Sequence, residues 1–412
     1  MNIVAVRTRL QHSLSGQIEV IAEQLFQREH SGVKEVGLLG GDAGIALLFA
    51  YLSKAFPGKA YGDMVIGRLN GLGDALSNAE LPYNMSGGIA GVAFVFQHLR
   101  NIGVLDKSDD LNLEELDEFI SRGVDHDRIT GNWDPLHGMV GLGIYFLERN
   151  RETGETTYLE KIVDHLAAMR TSVNNHGVWI TPGYGKYSND NYNLGTAHGM
   201  PGLLCFLAQV HVRGIKRPEI EEMVSSCLPF LLSHQLTQDS IYCFPTAVDV
   251  QPKEKEPPEQ SRLGWCYGDL CMAFALIHCG KALQHDDWMQ RGINVALKTT
   301  HRTFETAGCT DAPFCHGTVG LAHLYKRLHR LTGNAVFETA CEKWFQITQE
   351  QFYKPNEGAG GYYFRTFNEE KGDFKLTANY SLLEGSAGIA LVYLSYLHDI
   401  TPDWDVVFLA NV

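Results

Sequence analysis

The chain has 412 residues, 44% of them hydrophobic, with a formal net charge of −14; it can bury a large core, and its acidic balance argues against nucleic acid as a partner. Its apolar runs, such as Ile45 to Leu52, fall far short of the roughly 18 residues of a membrane span, and no secretory signal is expected at its start. Nine scattered cysteines without a framework spacing point to reduced thiols and a cytoplasmic location.

A short glycine motif recurs seven times, each copy preceded by an amphipathic segment and followed by an apolar one. In chain order, segment 14–30 precedes LLGGDAG (Gly41, Gly44), 59–79 precedes MSGGIAG (Gly88, Gly91) and 111–122 precedes PLHGMVG (Gly138, Gly141). Segment 156–172 then precedes TAHGMPG (Gly199, Gly202), and 217–233 precedes WCYGDLC (Gly268, Cys271). Segment 285–304 precedes FCHGTVG (Gly317, Gly320), and 334–350 precedes LLEGSAG (Gly385, Gly388). The first glycines lie 47 to 69 residues apart, room for two helices and two loops. The pattern predicts seven helix pairs, the apolar partner inside and the amphipathic partner outside. Glycines at i and i+3 share a helix face and are expected to let neighbouring inner helices approach. Without polar capping repeats, the expected fold is one all-α domain over residues 1–412 closed into an α/α toroid; an open solenoid is the alternative.

Three long gaps carry loop material expected at the end of the ring that bears the glycine motifs. Residues 173–197 read as a hairpin and loop. Residues 238–264 hold a predicted strand, Ile241 to Phe244, and the charged, proline-rich run 252–260, a solvated loop with peptide contact as its other reading. Residues 355–383 hold a second predicted strand around Phe374 to Thr377.

Aligned on the first glycine, Cys266 and Cys315 fill the same slot of consecutive copies, two residues upstream, and His316 fills the next. Equivalent slots of adjacent repeats should lie side by side. Two thiolates and an imidazole are donors that zinc favours, with a fourth position left open. His198 and His137 share the slot of His316; the histidine reads as a helix cap or as a general acid or base. Asp134 stands before a proline, either to shape a turn or to orient a histidine. Arg262 is a surface arginine or an anion and enolate ligand, and Tyr267 packs or offers its hydroxyl to the site. Cys271 and Cys309 compete weakly as ligands; Cys205, Cys227, Cys243, Cys279 and Cys341 read as core. There is no P-loop, dinucleotide fingerprint or His-Glu-x-x-His.

Taken together, Trp265-Cys266-Tyr267-Gly268, Cys315-His316-Gly317, Ala197-His198-Gly199 and Trp133-Asp134 before Gly138 resemble the lanthionine synthetase C-like proteins, over essentially the whole chain. The resemblance implies a fourteen-helix toroid and one zinc ion on Cys266, Cys315 and His316. It implies addition of a peptide cysteine thiolate to dehydroalanine or dehydrobutyrine, giving lanthionine or methyllanthionine. His198 would be the acid/base, Asp134 the acidic residue beside it, with Arg262 and Tyr267 at further site positions. The implied partner is a dehydrated precursor peptide; a dehydratase and a membrane transporter are further partners through which a cytoplasmic protein would sit at a membrane, without insertion. Two other readings keep the site but change the outcome: addition of glutathione or another small thiol to dehydrated residues, and a zinc- and thiol-binding adaptor without turnover. One departure is Cys271, where the family closes its motif with glycine.

Overall fold

The computed structural model describes residues 3–28, 35–106, 112–183, 189–251, 261–368, 372–398 and 400–411; the run 252–260 lies outside them. In chain order the helices are α1 (Ile3–Arg28), α2 (Asp42–Ala55), α3 (Tyr61–Asn78), α4 (Ile89–Asn101), α5 (Leu113–Thr130), α6 (Met139–Thr153), α7 (Thr157–Ala168) and α8 (Met200–Val212). They continue with α9 (Arg217–Leu232), α10 (Asp269–Ala282), α11 (Asp286–Thr299), the short α12 (Phe304–Ala307), α13 (Thr318–Thr332), α14 (Ala335–Gln351) and α15 (Ser386–Leu397). None is long and apolar enough to cross a membrane.

The helix following each glycine motif is buried almost all round: in α8 every residue from Met200 to His211 is buried. The helices between them bury a stripe. In α11 this is Trp288, Gly292, Val295, Ala296 and Thr299; in α14 it is Phe337, Ala340, Cys341, Trp344, Phe345 and Thr348. These spacings are one face of a helix lying on a core. Each large side chain so buried contributes about 1.5–3 kcal/mol.

The chain divides into two compact units, residues 1–116 with 309–404 and residues 117–308 with 405–412. In the first, α2 packs on α3 and α4, α13 on α14, and α15 on α1, α2 and α13. In the second, α6 packs on α7 and α8, α8 on α9 and α10, and α10 on α11. The inner helices α2, α6, α8, α10 and α13 therefore pack on the outer helix that follows them rather than on the one ahead as the sequence pattern suggested, whereas α4 packs on α3, ahead of it. The last inner helix, α15, takes the first outer helix, α1.

The glycine motif also works differently from expectation. The first glycine is the N-cap of the inner helix and offers no side chain to cap it. The loop supplies the cap instead: the first helical N–H bonds the carbonyl seven residues back in Asp42→Glu35, Ile89→Pro82, Met139→Asn132, Thr318→Asp311 and Ser386→Asn379. This satisfies donors a helix start leaves orphaned, and it folds the loop tightly under the helix. A Cβ on Gly88 would lie 2.0 Å from Pro82 O, and one on Gly388 would lie 2.0 Å from Leu382 O. Close approach of the loop backbone, rather than of neighbouring helices, excludes a side chain. Gly388→Ala is therefore expected to destabilise by about 3 kcal/mol through forced backbone shift. Gly71→Ala on α3, where a Cβ would meet nothing within 4 Å, should stabilise by about 0.5–1 kcal/mol. Thermal denaturation of both variants checks this; equal effects would refute the loop-contact account.

The fifth copy follows another rule. Gly268 has φ 128°, whereas the other first glycines are extended at φ −95° to −140°. That conformation requires glycine. The re-aimed loop leaves room at the fourth position, where the Cys271 thiol donates to Trp265 O at 3.2 Å.

Equivalent loops are tied to each other through the slot two residues before the first glycine. Leu39 N–H bonds Ser86 O, Leu383 N–H bonds Leu39 O, Cys315 N–H bonds Leu383 O, and Ala197 N–H bonds Cys266 O. Within each unit the slot is thus bonded from loop to loop, through Ser86, Leu39, Leu383 and Cys315 in the first and through Ala197 and Cys266 in the second.

The strands are short. β1 (Thr171–Val173) and β2 (His176–Val178) form a hairpin whose turn residues, Asn174 and Asn175, have φ 49° and 67°, a type I′ preference. β3 (Asn191–Asn193) pairs with β4 (Ala247–Asp249), and β5 (Phe364–Asn368) with β6 (Asp373–Thr377). The predicted strand Ile241 to Phe244 is absent. Asp269 Oδ1 accepts the N–H groups of both Cys243 and Phe244 at 2.9 Å, which curls the segment before Pro245 and delays the strand to Ala247.

Candidate active site

In the second unit the loops of copies three, four and five carry five of the predicted residues. Asp134 does both things considered for it. Its Oδ1 accepts the N–H groups of Leu136 and His137 at 2.7 and 2.8 Å, shaping the turn through Pro135. Its Oδ2 lies 2.7 Å from His198 Nδ1. The neighbouring Trp133 pins the loop by donating its indole N–H to Ile180 O at 3.0 Å. Burial alone would raise the Asp134 carboxyl, but the bond and charge of His198 and the two N–H groups hold it below its ordinary value. Burial alone would lower His198, yet Asp134, with help from the charge of Cys266, raises it above its ordinary value. The pair therefore favours imidazolium facing carboxylate. The His137 ring stacks on His198 with centroids 5.6 Å apart, and burial depresses His137 despite Asp134.

Tyr267 lies with its ring centroid 6.3 Å from that of His198, and its hydroxyl accepts from Asn193 Nδ2 at 3.5 Å. Cys266 is buried, 6% exposed, and its carbonyl accepts the Ala197 N–H. Arg262 is half-buried; its backbone carbonyl abuts Gly268, and its guanidinium makes no hydrogen bond or ion pair among the described residues. Cys271 packs close by, its thiol donating to Trp265 O, and burial, with the charge of Cys266, pushes that thiol up to about 12.

In the first unit Cys315 is also buried, 8% exposed, and its N–H is held by Leu383 O at 3.1 Å. His316 Nε2 lies 3.6 Å from Asp311 Oδ2, and its ring packs near Phe364, centroids 6.2 Å apart. Cys266, Cys315 and His316 offer ligand atoms that all lie within 4.8 Å of one another, a group among the described residues that could hold a metal. Two buried thiols and an imidazole are a soft donor set, and a carboxylate beside the imidazole is what a metal-ligating histidine uses to fix its orientation. The residues fit zinc.

Three neighbours escaped the sequence reading: Asn193, Asp311 and Phe364. Asn193 and Asp311 occupy one repeat slot, six residues before the first glycine, the slot whose carbonyl meets the inner helix. The register that located the cysteines would have located them. Phe364 comes from a hairpin with no counterpart in other copies, and nothing in the repeat pointed to it.

The family described as lanthionine synthetase C-like protein matches residues 32–409. The nisin biosynthesis protein NisC of Lactococcus lactis subsp. lactis is 23% identical over 402 residues, covering 90% of this chain and 88% of that protein. A solved structure of nisin cyclase superimposes with a TM-score of 0.76 at 21% identity, covering 97% of this chain and 98% of that one. The likeness establishes the fold as the expected all-α α/α toroid.

Proposed function

The chain belongs to the lanthionine synthetase C-like family, and from that premise we propose that it is a zinc-dependent lanthipeptide cyclase acting on a dehydrated precursor peptide. The observation that carries this reading is the convergence of Cys266, Cys315 and His316, with His198, paired to Asp134, on the loop bonded to that of Cys266.

Cys266, Cys315 and His316 would hold the metal. Zinc there would lower the pKa of a peptide thiol so that thiolate is available at neutral pH. The thiolate sulfur forms a bond to the β-carbon of the dehydro residue, and the π electrons move to the α-carbon and its carbonyl. His198 donates its proton to the α-carbon and is recharged from solvent, which has taken the thiol proton, so the cyclised peptide keeps its mass. Asp134 holds His198 protonated and fixes its orientation. Arg262 is the cation suited to the enolate oxygen, and Tyr267 bounds the space beside His198.

The test is incubation with a peptide containing dehydroalanine and cysteine, followed by thiol alkylation and mass measurement. Cyclisation leaves the mass unchanged and removes the alkylatable thiol. A rate no faster than the spontaneous one would sink the proposal; a gain of one glutathione when glutathione is present would reassign the substrate.

A pH dependence follows. His198 donates only when protonated, and Asp134 extends that state to higher pH. In Asp134→Asn burial becomes the dominant influence and the His198 pKa falls. The alkaline limb of the rate profile is expected at lower pH than in the wild type. An unmoved limb would rule out His198 as the proton donor.

A further inference from the structure

The β5–β6 hairpin is a two-stranded sheet on its own, and its two faces differ. The register sets Phe364 opposite Thr377, Arg365 opposite Leu376 and Phe367 opposite Phe374. Directly opposed residues share a face, so Arg365, Phe367, Phe374 and Leu376 lie together on one side. Phe364 lies on the other side, where its ring approaches His316. The Arg365 N–H points to Asp311 Oδ2 at 3.5 Å, the same oxygen that faces His316. The hairpin is therefore anchored beside the candidate metal ligands.

Its outer side is unusual for a surface. Phe367, Phe374 and Leu376 are 53%, 55% and 58% exposed. The two rings meet at 5.2 Å, and the Arg365 guanidinium lies over Phe374 at 4.0 Å. An isolated hairpin gains little stability from apolar groups left in water, and a contiguous exposed apolar patch commonly marks a binding surface.

We infer that this face of the β5–β6 hairpin docks the dehydrated stretch of the peptide substrate and selects it over the unmodified one. Only the identity of the occupant rests on the cyclase reading. Dehydration removes the hydroxyl from serine or threonine and leaves a flat, apolar side group conjugated to the backbone. A patch of two rings and a leucine, with a guanidinium over one ring, gains from that change: it offers planar apolar contact, against which a hydroxyl is the costlier group to bury. The Phe364 ring and the Arg365 N–H anchor the hairpin at His316 and Asp311, so a segment docked on its outer face lies across the two strands from the candidate ligands.

The test uses the full chain, loaded with zinc, and a fluorescein-labelled twelve-residue peptide with two dehydroalanines and one cysteine; its twin carries serines instead. Anisotropy should show wild type binding the dehydrated peptide about tenfold more tightly than its twin, by the scale of apolar contact. The triple variant Phe367→Ser, Phe374→Ser, Leu376→Ser should lose that preference while keeping zinc content and melting temperature. Phe374→Leu, which keeps an apolar face, should retain most of it. Val20→Ser with Ile66→Ser, exposed on α1 and α3, should change nothing. Equal affinity in wild type and triple variant, or no measurable binding by wild type, overturns the inference. Preserved selective binding without any cyclisation would instead refute the cyclase reading and leave the docking face standing. If the triple variant loses its fold, Phe374→Leu and Leu376→Ser alone decide, the second expected to weaken binding about threefold.

Discussion

Purified Cys315→Ala protein is expected to carry about one-tenth of the zinc of the wild type, which should hold about one ion per chain. A three-ligand site loses both a donor and half of its thiolate charge with this change. Cys315 is buried on a loop whose N–H is held by Leu383, so its thiol position is fixed by the fold. Cys271 is the nearest thiol in sequence to Cys266, but it is packed against Trp265 O and held neutral by burial. Cyclisation should fall about 10³-fold, several kcal/mol of barrier, because the peptide thiol loses its activation. Cys341→Ala, on the buried face of α14, should keep its zinc while losing some stability. Metal content by mass spectrometry distinguishes these outcomes, and full zinc in Cys315→Ala would refute the ligand set.

His198→Asn should lower the cyclisation rate about 10²–10³-fold with zinc content unchanged. Asparagine keeps a polar group at the same slot but supplies no proton at neutral pH. The thiolate addition it leaves behind would run to an enolate that waits for water. Asp134→Asn should cost less, about tenfold to a hundredfold, because the imidazole remains but is no longer held protonated. The two substitutions should not add, since both act through one proton. A double variant slower than His198→Asn by the full effect of Asp134→Asn would separate the two residues and break the dyad. Steady-state rates of all three variants with one dehydrated peptide settle the point.

Much of the fold was legible because its repeat is written in glycine. The boundaries of the inner helices follow the motif, and comparing one slot across copies named the residues that come together as a candidate metal group. Backbone hydrogen bonds join this slot between several loops, Cys315 to Leu383 and Ala197 to Cys266 among them, so there register in sequence becomes adjacency in space. Other features depended on contacts that no periodicity carries. The offset pairing of helices is set by packing between different repeats. The failed strand at Ile241 was overridden by one buried carboxylate, Asp269, taking two N–H groups. The conformation that admits Cys271 rests on a single positive φ at Gly268, visible in sequence only as a missing glycine three residues later. The β5–β6 hairpin was predicted as chain but not as neighbour, since its contact with His316 depends on where a non-repeating insertion falls.

The packing of α15 on α1 and α2 bears on how the chain folds. α1 meets α15, the helix it packs on most, only across most of the described residues. Residues 405–412 close the second unit, where Phe408 packs on Trp265 and accepts its indole proton at 2.6 Å, one residue from Cys266. Such long-range closure slows folding and exposes apolar surface meanwhile. The wall beside Cys266 thus forms only when segments far apart in the chain meet.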